Sequence, residues 1–319
     1  MLLFEDCLAS EAFAVRDALA IAGQLPGSPG YDVRMVSAPG RPVTTAGVVL
    51  RAEAARRWPD VLVTPGLMAR SAADIIARCE LGLTAERRLL AEARAAGVTI
   101  AAVCVGAFLA AAAGALDGRR VTTAWPVLSA LQRWRPELSV VEGPMVLADG
   151  PVITTGAVTA AYDLALGLVE RCEGTDAARR LRKLLALDGD RDDQRRYGEA
   201  LTADPRGDPL VDAARRLIAG TLAAPLDLPD LARRCGASPR TLLRRFRAAT
   251  GETPLQHRQG LVVAAVRALL ETTTLPLAQI PERVGYADDV SLRRLFRART
   301  GLTLAAYRRR FGALPAHRN

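Results

Sequence analysis

In the last third of the chain the apolar positions come in pairs four residues apart. Leu242 and Phe246 form one pair, Leu292 and Phe296 the other. Positions four apart share a helix face, so each pair predicts a helix that buries one stripe and exposes the rest. The first such helix follows Gly236-Ala237-Ser238-Pro239. Ser238 is its predicted N-cap and Pro239 its first residue. The second follows Gly285-Tyr286-Ala287-Asp288. Both end at Thr-Gly, and these closing pairs stand 50 positions apart, whereas the opening glycines stand 49 apart. The second turn thus carries one extra residue. Before the first copy, residues 210–220 read as an entry helix, and Asp227 caps a helix over 228–235 with Pro229 in its first turn. An apolar helix over 261–270 joins the copies. A short helix, a turn and a one-faced helix, written twice, predict two helix-turn-helix units.

The first part of the chain is patterned differently. Residues 60–64 and 98–103 are short continuous apolar runs, as expected of strands buried on both faces. They alternate with helical periodicity at 12–22 and 84–96. Residues 31–36 predict a further strand, and 43–50 a small hairpin turning at Ala46-Gly47. Such alternation predicts a doubly wound, flavodoxin-like α/β domain with a mainly parallel sheet. A charged helix is expected over 173–187. Beyond it, Asp188-Gly189-Asp190-Arg191-Asp192-Asp193 loses apolar periodicity, and Asp204-Pro205-Arg206-Gly207 breaks again. The expected division is therefore 1–187 for the α/β domain, 188–207 for a linker and 208–319 for the helical domain.

Charge sharpens this division. The net charge is +9, but residues 208–319 hold 19 Arg against 9 Asp/Glu, and residues 1–207 hold 24 Lys/Arg against 25. All of the basic excess lies in the helical domain, the footprint expected of phosphate-backbone binding. Lys183 is the only lysine in the chain, so a preference for arginine is general, but the asymmetry is not. The five cysteines are scattered, without metal-ligand or disulfide spacing, and no cofactor motif is found. The opening residues lack a basic n-region and no apolar run is long enough for a membrane span, so a cytoplasmic location is expected. Residues 1–6 read as a strand already under way, which leads us to expect further residues before them.

The candidate chemistry centres on Cys104. The strand ending at Val103 runs directly into Cys104-Val105-Gly106-Ala107-Phe108-Leu109, an elbow that places a side chain beyond the carboxyl end of the sheet. Together with Ala113-Gly114-Ala115-Leu116-Asp117-Gly118, the Thr122-Thr123-Ala124-Trp125 run and Thr154-Thr155-Gly156-Ala157, this elbow resembles the ThiJ/PfpI branch of the class I glutamine-amidotransferase-like superfamily. In catalytic relatives a histidine commonly follows the Thr-Thr pair; here Ala124 stands there. The chain has two histidines, His257 and His317, both in the other domain. A Cys-His pair cannot be built within the first domain, so no catalytic residue is assigned, and Cys104 is read as a degenerate elbow. Glu5, Asp6 and Glu11 are the candidate acidic neighbours. Gly66, Cys104, Val105 and Trp125 are the expected lining of a ligand pocket. The alternative is a Cys104-dependent hydrolase or lyase-like enzyme fused to a DNA-binding module.

The paired units and the closing Ala306-Tyr307-Arg308-Arg309-Arg310-Phe311 resemble the AraC/XylS family of transcription regulators. The resemblance implies two recognition helices in adjacent major-groove segments. It directs Ser238, Arg240, Thr241, Leu243, Arg244 and Arg247 of the first unit, and Asp289, Val290, Arg293, Arg294 and Arg297 of the second, toward DNA. It further implies promoter DNA and RNA polymerase as partners, a homodimer, and a small-molecule effector such as an amine or amino acid. Two departures stand out. His257-Arg258 replace an aromatic-aliphatic pair, and Pro281 occupies the slot of Ala232. Either the helix at Pro281 starts late, near Ile280, or the second unit is weakened.

Overall fold

The computed structural model describes residues 1–187, 191, 193–197, 208–222, 225–250, 252–286 and 288–312. The chain divides into two compact units, Met1–Gln194 and Arg195–Asn319. Most of the expected linker lies outside the described residues. Of its described part, Arg191 and Gln194 belong to the first unit: Arg191 pairs with Asp163 at 2.9 Å, and Gln194 is fully buried.

In chain order, the first unit comprises β1 (Leu2–Leu3), α1 (Ala9–Ala22), β2 (Val36–Ser37), β3 (Val43–Thr45), β4 (Val48–Leu50), β5 (Glu53–Ala54) and β6 (Val61–Thr64). There follow α2 (Ala72–Ala77), α3 (Thr84–Ala95), β7 (Thr99–Ala102), α4 (Gly106–Ala112), β8 (Arg120–Val121), α5 (Leu128–Trp134) and β9 (Ser139–Val140). β10 (Val146–Asp149), β11 (Val152–Thr155), α6 (Ala160–Glu173) and α7 (Thr175–Leu184) complete it. β6, β7 and β11 run parallel, and β10 closes that sheet antiparallel; β1, β2 and β5 form a second parallel ladder. Helices α1 and α6 pack together, while α3 and α4 pack on β7. With helices on both faces, β7 and β11 are almost wholly buried, which accounts for the apolar run through β7 and for the burial of Thr154 and Thr155 in β11.

Three expectations shift. The strand at 31–36 shrinks to Val36–Ser37, because Tyr31, Val33 and Met35 alternate inward against the core without a ladder partner. Helix α1 starts at Ala9 rather than Ala12, bringing Glu11 into its first turn. The charged helix over 173–187 is the shorter α7, Thr175–Leu184, set off from α6 at Gly174, whose φ of 86° ends the earlier helix. Helices α2 and α5 carried no clear periodicity. The hairpin stands as expected, with Ala46 and Gly47 both in the left-handed region at φ 50° and 77°.

The second unit contains α8 (Pro209–Gly220), α9 (Leu228–Arg234), α10 (Pro239–Thr250), α11 (Pro254–Thr272), α12 (Ile280–Arg283), α13 (Asp289–Thr300) and α14 (Leu304–Phe311). Its duplication extends to individual hydrogen bonds. Gly236 N–H reaches Arg233 O and Ala237 N–H reaches Ala232 O; Gly285 N–H reaches Glu282 O and Tyr286 N–H reaches Pro281 O. Both turn glycines are left-handed, at φ 68° and 67°. Thr250 and Thr300 each cap back onto the phenylalanine carbonyl four residues earlier, at 2.6 and 2.7 Å. Thr253 and Thr303 then N-cap α11 and α14.

This register settles Pro281. Its helix starts at Ile280 after a 3-10 turn at Leu277–Gln279, so the ring sits in a first turn where no N–H is required. The turn uses only the carbonyl of that slot, which proline retains. The bridging helix is also longer than 261–270, beginning at Pro254 and including His257, Arg258 and Gly260. His257 fills the slot of Tyr307. Its ring meets Phe246 edge-on at 5.5 Å, as Tyr307 meets Phe296 at 5.3 Å.

Candidate functional site

Two sites emerge, one in each unit. In the first, β7 ends at Ala102 and Cys104 takes a left-handed conformation, φ 54°, which only a constrained non-glycine residue adopts. The elbow is fixed from three sides. Val103 N–H donates to Thr64 O at 2.9 Å, Gly106 N–H donates to Val103 O at 2.8 Å, and the Thr123 hydroxyl donates to Cys104 O at 2.7 Å. A Cβ on Gly106 would lie 2.6 Å from Pro65 O and 2.7 Å from Thr64 O, so the close crossing of α4 over the end of β6 requires glycine.

Of the three acids near the first strand, Glu11 is the one brought to the thiol. Glu5 instead accepts from Thr44 N–H, and Asp6 pairs with Arg78. Glu11 is 1% exposed, and its Oε2 accepts the Gly66 N–H at 2.6 Å. Its Oε1 is buried with no hydrogen-bond partner among the described residues, and the carboxyl lies beside the Cys104 thiol, so that each group shifts the other's ionisation. Burial pushes the Glu11 carboxyl up to about 7, against the pull of the Gly66 N–H and the thiol. Burial also raises the Cys104 thiol, and the Glu11 charge raises it further. A protonated acid beside a neutral thiol is therefore the resting state below neutral pH. Nucleophilic chemistry needs the thiolate, which this environment opposes.

Gly66 lies against Val105 and Glu11, since a Cβ at Gly66 would sit 3.0 Å from Val105 Cγ2 and 3.3 Å from Glu11 Oε2. Trp125 is only half-buried and begins a short 3-10 turn; its contribution here is a backbone N–H, which donates to Gln194 Oε1 at 2.9 Å. Ala124, where the histidine was missing, is buried. Gln194 falls within the expected linker, 188–207, yet is buried in the first unit. No signal in its polar surroundings distinguished it. Glu11, by contrast, shares a helix stripe with Val15, Ala18 and Ala22, all buried, so an acid on that stripe was a readable anomaly once the helix start was extended.

In the second unit, Leu242 and Phe246 of α10, and Leu292 and Phe296 of α13, are fully buried in two small cores. Opposite them, Ser238, Arg240, Arg244 and Arg247 are exposed, with Thr241 and Leu243 half-buried. On α13, Val290 is 72% exposed, Arg293, Arg294 and Arg297 are exposed, and Asp289 is half-buried. Both helices are capped: Ser238 Oγ accepts Thr241 N–H at 3.2 Å, and Asp288 accepts from Val290 and Ser291. The hydrogen bonds from Ser291, followed by that from Val290 N–H, hold the Asp288 carboxyl below its ordinary range. The two helices differ in charge. α10 carries no acid, whereas on α13 Asp289 grips Arg293 at 2.8 Å. Arg245, on the side of α10 away from the exposed arginines, forks onto Asp208, the cap of α8. No described helix is long and apolar enough to cross a membrane.

Residues 1–171 match the model of the DJ-1/PfpI family, and residues 231–310 match that of a helix-turn-helix domain. The HTH-type transcriptional regulator CdhR of Pseudomonas aeruginosa is 32% identical over 205 residues, which cover 64% of this chain and 60% of that protein. The matched stretch thus spans about three-fifths of that relative's length. The isonitrile hydratase of Pseudomonas putida is 36% identical over 80 residues, covering 25% of this chain and 33% of the hydratase. The crystal structure of an AraC family transcriptional regulator from Pseudomonas putida has a similar fold, with a TM-score of 0.50 at 22% identity over 58% of this chain and 96% of that one. From its buried cysteine elbow to its duplicated capped helices, the chain belongs to the DJ-1/PfpI family and carries an AraC-type helix-turn-helix domain.

Proposed function

We propose that this protein is a sequence-specific transcriptional regulator, with α10 and α13 as its DNA-reading helices and the first unit as its sensor. The observation that carries this reading is the duplicated frame of capped, arginine-rich helices, each burying one aromatic-aliphatic stripe and exposing the opposite face. In such a unit the early residues of the second helix meet base edges in the major groove. Arg240 and Arg244 stand in those positions in the first copy, and Val290, Arg293 and Arg294 in the second. A bidentate arginine–guanine pair discriminates by about 1–3 kcal/mol. Arg247 and Arg297, a turn further on, suit phosphate contacts that position the helix. Similarity to CdhR supports the regulatory role. In this reading the protein acts in the cytoplasm as a homodimer on promoter DNA beside RNA polymerase, and its first unit binds a small-molecule effector without turning it over.

The test is a gel shift with promoter DNA across a salt series. Neutralising several phosphates requires affinity to fall steeply with salt. Salt-independent or absent binding overturns the reading.

A second reading, a Cys104-dependent enzyme, is favoured by the likeness to isonitrile hydratase. It requires fast, stoichiometric labelling of Cys104 by iodoacetamide at neutral pH. An inert thiol excludes it.

A further inference from the structure

Next to the cysteine elbow, the first unit holds one of its own side chains as a ligand would be held. Gln194 comes from the segment that leads into the second unit, yet it is completely buried. Its Nε2 donates to Thr123 O at 2.9 Å, Thr122 Oγ1 at 3.1 Å and Pro144 O at 3.2 Å. Its Oε1 accepts Trp125 N–H at 2.9 Å. Its backbone N–H reaches Gly143 O at 2.7 Å. Thr123 also holds the Cys104 carbonyl, so the pocket shares a wall with the elbow.

The chemistry of this pocket is selective. Three oxygens surround the nitrogen position, and one N–H faces the oxygen position. A carboxylate would set a negative oxygen against the Thr123 and Pro144 carbonyls, which can only accept, and burial makes such a mismatch costly. An ammonium or guanidinium would satisfy the oxygens but leave the Trp125 N–H without an acceptor. A neutral primary carboxamide satisfies both ends.

We infer that this pocket is a carboxamide-binding site, that Gln194 is its built-in occupant, and that a free carboxamide ligand competes with Gln194 for it. The inference deepens the sensor reading above and rests on it only for the statement that such a ligand would be the effector. Competition follows from geometry, since the two amides would need the same four partners. Displacing Gln194 releases the chain one residue before Arg195, whose carbonyl is held by Arg267 in the second unit at 2.6 Å. Binding in the pocket therefore acts on the residue at which the first unit ends.

Gly156 provides an independent way to close the site. A Cβ there would lie 2.8 Å from Gln194 Oε1 and 3.0 Å from its Cδ, with Met145 Sδ at 3.1 Å, and its φ lies outside the left-handed range that disfavours alanine. The experiment is calorimetric titration of the full chain with propionamide, propionate and propylammonium, on wild type, Q194A and the double variant Q194A/G156A. An internal occupant lowers apparent affinity by the fraction of time the pocket is vacant, so Q194A should bind propionamide at least about tenfold more tightly than wild type. Propionate and propylammonium should bind at least about tenfold more weakly than propionamide, and the double variant should lose binding. Equal affinities of wild type and Q194A, no binding to either, no preference for the amide, or retained binding in the double variant each overturn the inference. Near-ultraviolet circular dichroism matching the wild type confirms that both variants are folded. A promoter gel shift on the same samples separates the two proposals. DNA binding without propionamide binding removes the pocket alone, and propionamide binding without a DNA shift removes the regulator reading alone.

Discussion

Replacing Glu11 by Gln should stabilise the first unit at alkaline pH and leave it nearly unchanged at acid pH. Glu11 is buried in the first turn of α1, and its carboxyl is raised from 4.5 to about 7. In the unfolded chain the group ionises near its ordinary value. Below about 4.5 the acid is protonated in both states, and folding carries no penalty from it. Between that point and about 7 the unfolded chain ionises while the native carboxyl stays protonated. The native state therefore loses stability as pH rises, and the loss is complete above about 7. A shift of about 2.5 units at 1.36 kcal/mol per unit amounts to about 3 kcal/mol. Glutamine keeps an oxygen for the Gly66 N–H and cannot ionise, so it removes the pH dependence while preserving the contact. All three tryptophans, Trp58, Trp125 and Trp134, lie in the first unit, so their fluorescence during urea unfolding reports that unit separately. Comparing midpoints at pH 5 and pH 8 gives the difference directly. Wild-type and E11Q curves with the same change between those pH values would show that Glu11 is ionised throughout. The account of the thiol environment would then fall with it.

Further substitutions probe the two sites. Gly106→Ala drives a Cβ into the Pro65 and Thr64 carbonyls and should cost about 1–3 kcal/mol of first-unit stability, read by the same fluorescence transition; an unchanged midpoint would mean that α4 can retreat. Asp289→Asn frees Arg293 and removes an acid facing the phosphates, so promoter affinity should rise and its salt dependence steepen, as measured by fluorescence anisotropy. Weaker binding would instead assign Asp289 a direct role on a base. Arg244→Ala should weaken a gel shift more than Arg294→Ala, because α10 presents its arginines without any acid whereas Asp288 and Asp289 begin α13. The opposite order would make the second copy the anchor.

How much of this was legible in the sequence depended on whether a residue's partners were near or far along the chain. Leu242 with Phe246 and Leu292 with Phe296 are local pairs, and their periodicity discloses α10 and α13, their exposed arginines and the duplication. Ser238 and Thr253 cap bonds three residues away, so the sequence also reads as a set of helix starts. Pro281 looked disruptive because proline is judged by the N–H it lacks; only the turn's hydrogen bonds show that its slot uses the carbonyl. Glu11 was half legible. Its place on the buried stripe of α1 is local, but its partners Gly66 and Cys104 lie 55 and 93 residues away, where no pattern points to them. Gln194 marks the limit. Its four side-chain partners lie between 50 and 72 residues earlier, in separate loops, and its neighbours are charged and aperiodic. A polar residue in a polar run reads as solvated. Only the fold shows that this one is buried with every polar group of its amide matched, and the cost of burying an unmatched amide is the physical reason to treat the pocket as built for that group.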